Sequence, residues 1–126
     1  MLGVLVFLMT QLSPCPDSPN CVYSQAVDAR HAISPFPIIG NPQNDLKRIA
    51  SIIESMPRTE IVEITPTYLH AKFISKIFRF TDDVEFLVNT EQNVIDVRSA
   101  SRVGYGDLGV NRKRIERIRE AYSLKG

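Results

Sequence analysis

Two runs of alternating residues, Val84–Asn89 and Val94–Ser101, are separated only by Thr90-Glu91-Gln92-Asn93, and this pairing constrains the chain more than any other feature. Apolar residues recur at every second position in both runs, the period of a strand with one buried face. Counting outward from the four-residue turn sets Asn89 opposite Val94, Val88 opposite Ile95 and Phe86 opposite Val97. The last two pairs place four apolar side chains on one face, which supports the register independently, because a slip of one residue would turn them all outward. The same count sets Glu85 opposite Arg98 on the other face, with Asp83 diagonal to Arg98 and Arg102 further along. An antiparallel hairpin with an apolar face needs a covering layer.

The remaining periodic segments supply it. Tyr68–Ser75 alternates with Leu69, Ala71 and Phe73 on one face, and Glu60–Ile64 is a further short strand. A helix is predicted over Asn44–Met56, where Leu46, Ile49, Ala50, Ile53 and Met56 recur at helical spacing before Pro57 stops it. A second helix, Asn111–Leu124, presents Ile115, Ile118 and Tyr122. The order helix, meander, helix implies an α+β two-layer sandwich, an antiparallel sheet of about four strands with both helices on one face. Before it, Ser13–Gln43 holds six of the eight prolines and reads as loop or extended chain. The second sheet face still carries Leu87, Val94 and Ile74. The Pro-rich segment is expected to cover part of it, with its backbone at a sheet edge. With 126 residues, 44% of them apolar, the chain has room for one domain, 13–126, and for a core that needs no metal.

Met1–Leu12 carries no charged side chain. At about 1.5 Å per helical residue it would reach only about 18 Å, short of the roughly 30 Å hydrocarbon core, and it lacks a basic flank. Two readings stand: a truncated signal or anchor, which implies an envelope or exported location and a peripheral membrane contact through residues 1–12, or a strand or helix packed on the domain. A cytoplasmic location stays open under the second.

The net charge of +1 conceals an asymmetry. From Arg98 onward there are eight cations and three anions, a net of +5, so the first 97 residues carry −4. Three glycines in Gly104-Tyr105-Gly106-Asp107-Leu108-Gly109 lead into the last helix, where Asn111 is the expected N-cap and Arg112, Lys113 and Arg114 fill the first turn. Cations at that end oppose the helix dipole unless something negative sits there. The negative group is either internal, drawn from Asp82, Asp83, Glu85 and Asp107, or a bound anion held by Arg98, Ser99, Ser101, Arg102, Asp107, Asn111 and Arg112. The glycine spacing matches neither the Walker nor the dinucleotide pattern. Nucleic acid is not an expected partner, since exposed aromatics are not interleaved with the basic residues.

Cys15-Pro-Asp-Ser-Pro-Asn-Cys21 brackets five residues with two cysteines. A disulfide here suits an exported protein; two free thiols are the alternative. Zinc is not expected, because the spacing is not that of a finger and only His31 and His70 could complete four ligands. Cys15 or Cys21 with His31 as base would make a thiol nucleophile. His70, beside Tyr68 and Lys72, reads as a solvated or partly packed side chain.

The stretches Cys15–Val22, Phe80-Thr-Asp-Asp-Val-Glu-Phe86 and Arg98-Ser-Ala-Ser-Arg-Val-Gly-Tyr-Gly-Asp-Leu-Gly-Val-Asn-Arg112 closely resemble the bacterial and plastid family named domain of unknown function 1499. The resemblance spans about Ser13 to Tyr122, with Tyr23 and Gly106 where relatives are expected to carry serine. It implies a small domain, often preceded by a hydrophobic segment, associated with bacterial envelopes or photosynthetic plastids, and it implies no activity.

Three functions are therefore expected in turn. The first is a non-catalytic binding or accessory domain at the envelope whose partner is a small anionic ligand or an envelope protein. The second is a small hydrolase or thiol enzyme using the cysteine loop, and the third a purely structural interaction domain. No cofactor is expected.

Overall fold

The computed structural model of the protein describes residues 10–103 and 109–124. In chain order the elements are β1 (Cys21–Tyr23), β2 (Phe36–Pro37), α1 (Pro42–Glu54), β3 (Thr59–Ile64), β4 (Tyr68–Ile74), β5 (Thr81–Asn89), β6 (Val94–Ser101) and α2 (Val110–Leu124). β5 and β6 pair antiparallel with Asn89 opposite Val94, Val88 opposite Ile95, Phe86 opposite Val97 and Glu85 opposite Arg98, the register expected from the apolar alternation. β5 nevertheless begins at Thr81, before the expected Val84. Asp82 and Asp83 are poor strand formers, and they hold strand geometry because each carboxylate meets a guanidinium. Asp82 lies 2.8 Å from Arg114 and Asp83 2.7 Å from Arg102.

The sheet runs β1-β6-β5-β4-β3, with β2 also on β6. Six strands replace the expected four or so, because the Pro-rich segment is not all loop. Its backbone reaches the sheet edge: Cys21–Tyr23 lies against Arg98–Ala100, and Phe36–Pro37 against Val94 and Ile95. Without these short strands β6 would leave its edge N–H and C=O groups unpaired. Pro37 is tolerated because an edge position needs no ladder donor from it.

Both helices cover one face. Leu46, Ile49 and Ile53 of α1 and Ile115, Ile118 and Tyr122 of α2 are fully buried against Leu69, Val84, Phe86, Ile95 and Val97. Phe36 packs edge-on to Phe86, ring centroids 5.3 Å apart, and lies 5.4 Å from Tyr122. α1 starts and stops two residues before the periodicity predicts. Asn41 caps it, its Oδ1 accepting from the Asn44 N–H at 2.9 Å, and Pro42 takes the first helical position, where its missing N–H costs nothing. At the other end the Thr59 hydroxyl donates to the Ile53 carbonyl at 2.9 Å, which turns the chain into β3.

On the opposite face Leu12, Tyr23, Tyr68 and Leu87 form a second, smaller apolar cluster. The segment before β1 thus covers Leu87, as its polar backbone and the residual apolar surface require. Leu12 is 3% exposed, so packing on the domain includes a residue assigned above to the hydrophobic leader. Residues 1–9 lie outside the described part.

Candidate functional site

Successive strand residues point to opposite faces, and this divides the expected anion cluster in two. Asp82, Ser99 and Ser101 face the helices. There Asn111 is not an N-cap: it is the second residue of α2, 1% exposed, with its amide turned into the protein. Its Oδ1 accepts from the Ser99 hydroxyl at 2.6 Å and from Arg114 at 2.8 Å. Its Nδ2 donates to the Asn20 carbonyl and to Ser101 Oγ, each at 3.1 Å. Arg114 completes the set by pairing with Asp82 and lying over the Phe73 ring, 4.7 Å from its centroid. Of the three helix-terminal cations that oppose the dipole, Arg114 is thus neutralised by an internal acid.

Arg98, Asp83 and Glu85 face the other way. Arg98 Nη1 sits 3.8 Å from Glu85, Nη2 donates to the Pro14 carbonyl at 3.4 Å, and the buried Nε has no acceptor. The Tyr68 hydroxyl donates to Glu85; burial, and then this bond to a carboxylate, push its pKa up. Arg102 donates to both oxygens of Asp83, at 2.7 and 3.0 Å, and His70 Nε2 lies 2.7 Å from the same carboxylate. The Arg102 bonds, followed by His70, hold Asp83 below the usual carboxylate range against the opposing effect of burial. His70 is therefore partly packed, one of the two readings above, with Asp83 as its partner. The β4–β5 register, which sets His70 opposite Glu85 and Lys72 opposite Asp83, is the signal that would have placed it there.

Arg112 joins neither group. It donates to the Ala32 carbonyl at 2.8 Å and the Arg30 carbonyl at 3.2 Å, holding the loop after β1. Asp107, like the glycines before Gly109, lies outside the described residues. Cys15 and Cys21 are joined in a disulfide, Cα atoms 5.7 Å apart. His31, 4% exposed, sets its two ring nitrogens 2.6 Å from Asp28 and 2.7 Å from the Ser18 carbonyl, so it braces the cysteine loop.

Among the described residues, three of the surface clefts lie elsewhere. One of about 900 Å³ is lined by Thr10, Gln11, Glu63, Tyr68, Asn89 and Glu91, among others. One of about 490 Å³ lies beside Cys15, Asp28 and His31, and one of about 190 Å³ between Met56, Phe73, Lys113 and Arg117. None of the three is lined by Arg98, Ser99, Ser101, Arg102, Asn111 or Arg112. Among the described residues no three His, Cys, Asp or Glu side chains gather as metal ligands, and no helix is long and apolar enough to cross a membrane.

A disulfide-stapled α+β domain whose N-terminal loop, central hairpin and last helix are locked by buried polar contacts is the class that these features define. The chain belongs to the family described as "Protein of unknown function (DUF1499)", which it matches over residues 11–122. No curated protein and no solved structure matches it.

Two outcomes follow from the two faces. Asp82→Asn keeps the shape but leaves Arg114, 12% exposed, without its counter-charge, and should cost about 3 kcal/mol in urea unfolding. Asp17→Asn at the exposed Arg30 pair should leave the midpoint unchanged. On the other face, the lowered pKa of Asp83 stabilises the fold above the ordinary aspartate pKa, and this contribution disappears as pH falls through the folded-state value. The wild type should therefore lose stability more steeply than Asp83→Asn below about pH 4, as read by thermal unfolding across an acid series; parallel curves would refute the assignment.

Proposed function

We propose that this protein is a non-catalytic binding or accessory domain of the cell envelope, working in an oxidising compartment. The single observation that supports this reading most is the Cys15–Cys21 disulfide, since such bonds persist outside the reducing cytosol. It also consumes both thiols, and His31 is already held by Asp28 and Ser18, so a thiol nucleophile would first need a reductant. Residues 1–12 provide export or attachment in this reading. Intact mass of protein taken from its own cell fraction tests it. Alkylation is expected to add nothing before reduction and two labels after; labelling without reduction would remove both the disulfide and the compartment.

One observation favours an anion as the ligand. Arg98, most of whose side chain is buried and whose Nη2 donates to the Pro14 carbonyl, has an Nε–H without an acceptor, a donor that a small carboxylate or phosphate would satisfy once the chain at Pro14 moved aside to admit it. Inorganic phosphate or acetate should then raise the unfolding temperature of the wild type by a few degrees near saturation. Arg98→Ala should melt at one temperature with or without them. An unshifted wild type rules the anion out.

A further inference from the structure

We infer that the β4–β5 hairpin tip, Lys76-Ile77-Phe78-Arg79-Phe80, is an interfacial anchor that docks the domain on an anionic phospholipid bilayer. The tip is built rather than slack. Across its base the Ser75 N–H donates to the Phe80 carbonyl at 2.9 Å, and the Phe80 N–H donates to Ser75 Oγ at 2.8 Å. Arg79 takes a left-handed backbone conformation, φ 59°, where a turn that needed only to reverse the chain would carry glycine or asparagine. Ile77, Phe78 and Phe80 are 79%, 74% and 49% exposed, and the two phenylalanine rings stack with centroids 5.5 Å apart. None of these side chains joins either apolar cluster of the domain, so core packing does not account for their exposed surface.

The charge around the tip identifies the occupant. Lys76 precedes the apolar residues and Arg79 lies between the two phenylalanines, so exposed aromatics do interleave with basic residues here, against the expectation from sequence, and neither cation has a carboxylate partner among the described residues. The topology brings further unpaired cations to the same end of the sheet: Arg58 just before β3, bonded to the Ile74 carbonyl, and Lys113 and Arg117 in the first turns of α2, beside Met56 and Phe73. Val103 and Val110, 53% and 44% exposed, add apolar surface there. The acids at this end are mostly spent internally: Asp82 on Arg114, Asp83 on Arg102, Glu60 on Lys72. Glu54, near the end of α1, is the described acid left without a partner. Aromatic side chains ringed by unpaired Lys and Arg match a headgroup layer, where rings settle at the interface and cations meet anionic lipid. This inference does not rest on Arg98. It also differs from attachment through residues 1–12, since Thr10 and Gln11 lie at the opposite end of the sheet, beside Thr65 and Glu91.

The chain has no tryptophan, so Phe78→Trp in the full chain places one indole at the tip. With vesicles of equal parts phosphatidylglycerol and phosphatidylcholine its emission should shift to the blue and be quenched by brominated acyl chains, and salt should weaken the effect. Pure phosphatidylcholine should produce little change. In sedimentation with the mixed vesicles, Phe78→Ser should lose about tenfold in partitioning, and Lys76→Gln with Arg79→Asn about thirty-fold. Both variants should melt with the wild type, because the substituted side chains are exposed. Sedimentation with unchanged indole emission, equal response to neutral vesicles, or a shift that grows with protein concentration in the absence of lipid would each overturn the inference, the last by identifying a second copy as the occupant. Absence of binding would overturn it too.

Discussion

The side chain of Asn111 accepts from Ser99 and Arg114 and donates to Asn20 and Ser101, so one buried amide ties the cysteine loop, β6 and α2 together. Such a network stabilises only when every member is satisfied, because a half-paired amide at this depth would lose more than any one bond contributes. The consequences propagate through Arg114. Oriented by Asn111, it reaches Asp82 and allows β5 to begin at Thr81. Strand geometry at Asp82 in turn directs Asp83 to the opposite face, where Arg102 and His70 meet it. The outer ion pairs are thus positioned by the inner amide.

The disulfide acts on the second face. Joining Cys15 to Cys21, at the start of β1, it holds the chain before β1 close to the sheet and places Leu12 over Tyr23, Tyr68 and Leu87. Closing so short a loop contributes about 2 kcal/mol in the chain-entropy model, and its geometric effect matters as much. The Tyr23 hydroxyl donates to the Leu12 carbonyl and Arg98 to the Pro14 carbonyl, so the strap supplies acceptors to side chains that it also removes from water. One face is closed by hydrocarbon under two helices, the other by a thin strap over charged and aromatic groups.

The β5–β6 hairpin was legible because its signals agree: period, turn length and apolar pairing each select one register. The start of β5 was not, since Asp82-Asp83 contradicts strand propensity and becomes strand only through guanidinium partners far away in sequence. Arg98 and Ser99 show a second limit. Adjacent in sequence and grouped above in one anion cluster, they point to opposite faces of β6, a separation that the alternation already contained once the strand was accepted. Asn111 shows a third: a polar residue at a helix start reads as a cap, and only the buried donors and acceptors of Asn20, Ser99 and Ser101 make it an interior residue. The short strands β1 and β2 were hidden by prolines, whose cost at an edge is small.

The excess of positive charge after residue 97 is used in two distinct ways. Arg98, Arg102 and Arg114 face acids of β5, which transfers much of the −4 of the earlier chain onto the +5 of the later one. Arg112 and Arg119 donate to backbone carbonyls of the loop before β2, where the fork of N–H groups matters; Arg119 is also paired with Glu116 at 2.8 Å. A lysine could not span such paired acceptors, which explains why arginine predominates in α2. Five of the cations outside these roles, Lys113 and Arg117 with Lys76, Arg79 and Arg58, collect at one end of the sheet, while Glu63 and Glu91 line the cleft at the other; Lys47 and Arg48 of α1 do not belong to that group. A net charge near zero therefore coexists with an uneven distribution of unpaired charge along the strands, and a field of that shape would orient the molecule toward the anionic bilayer inferred above before any contact formed.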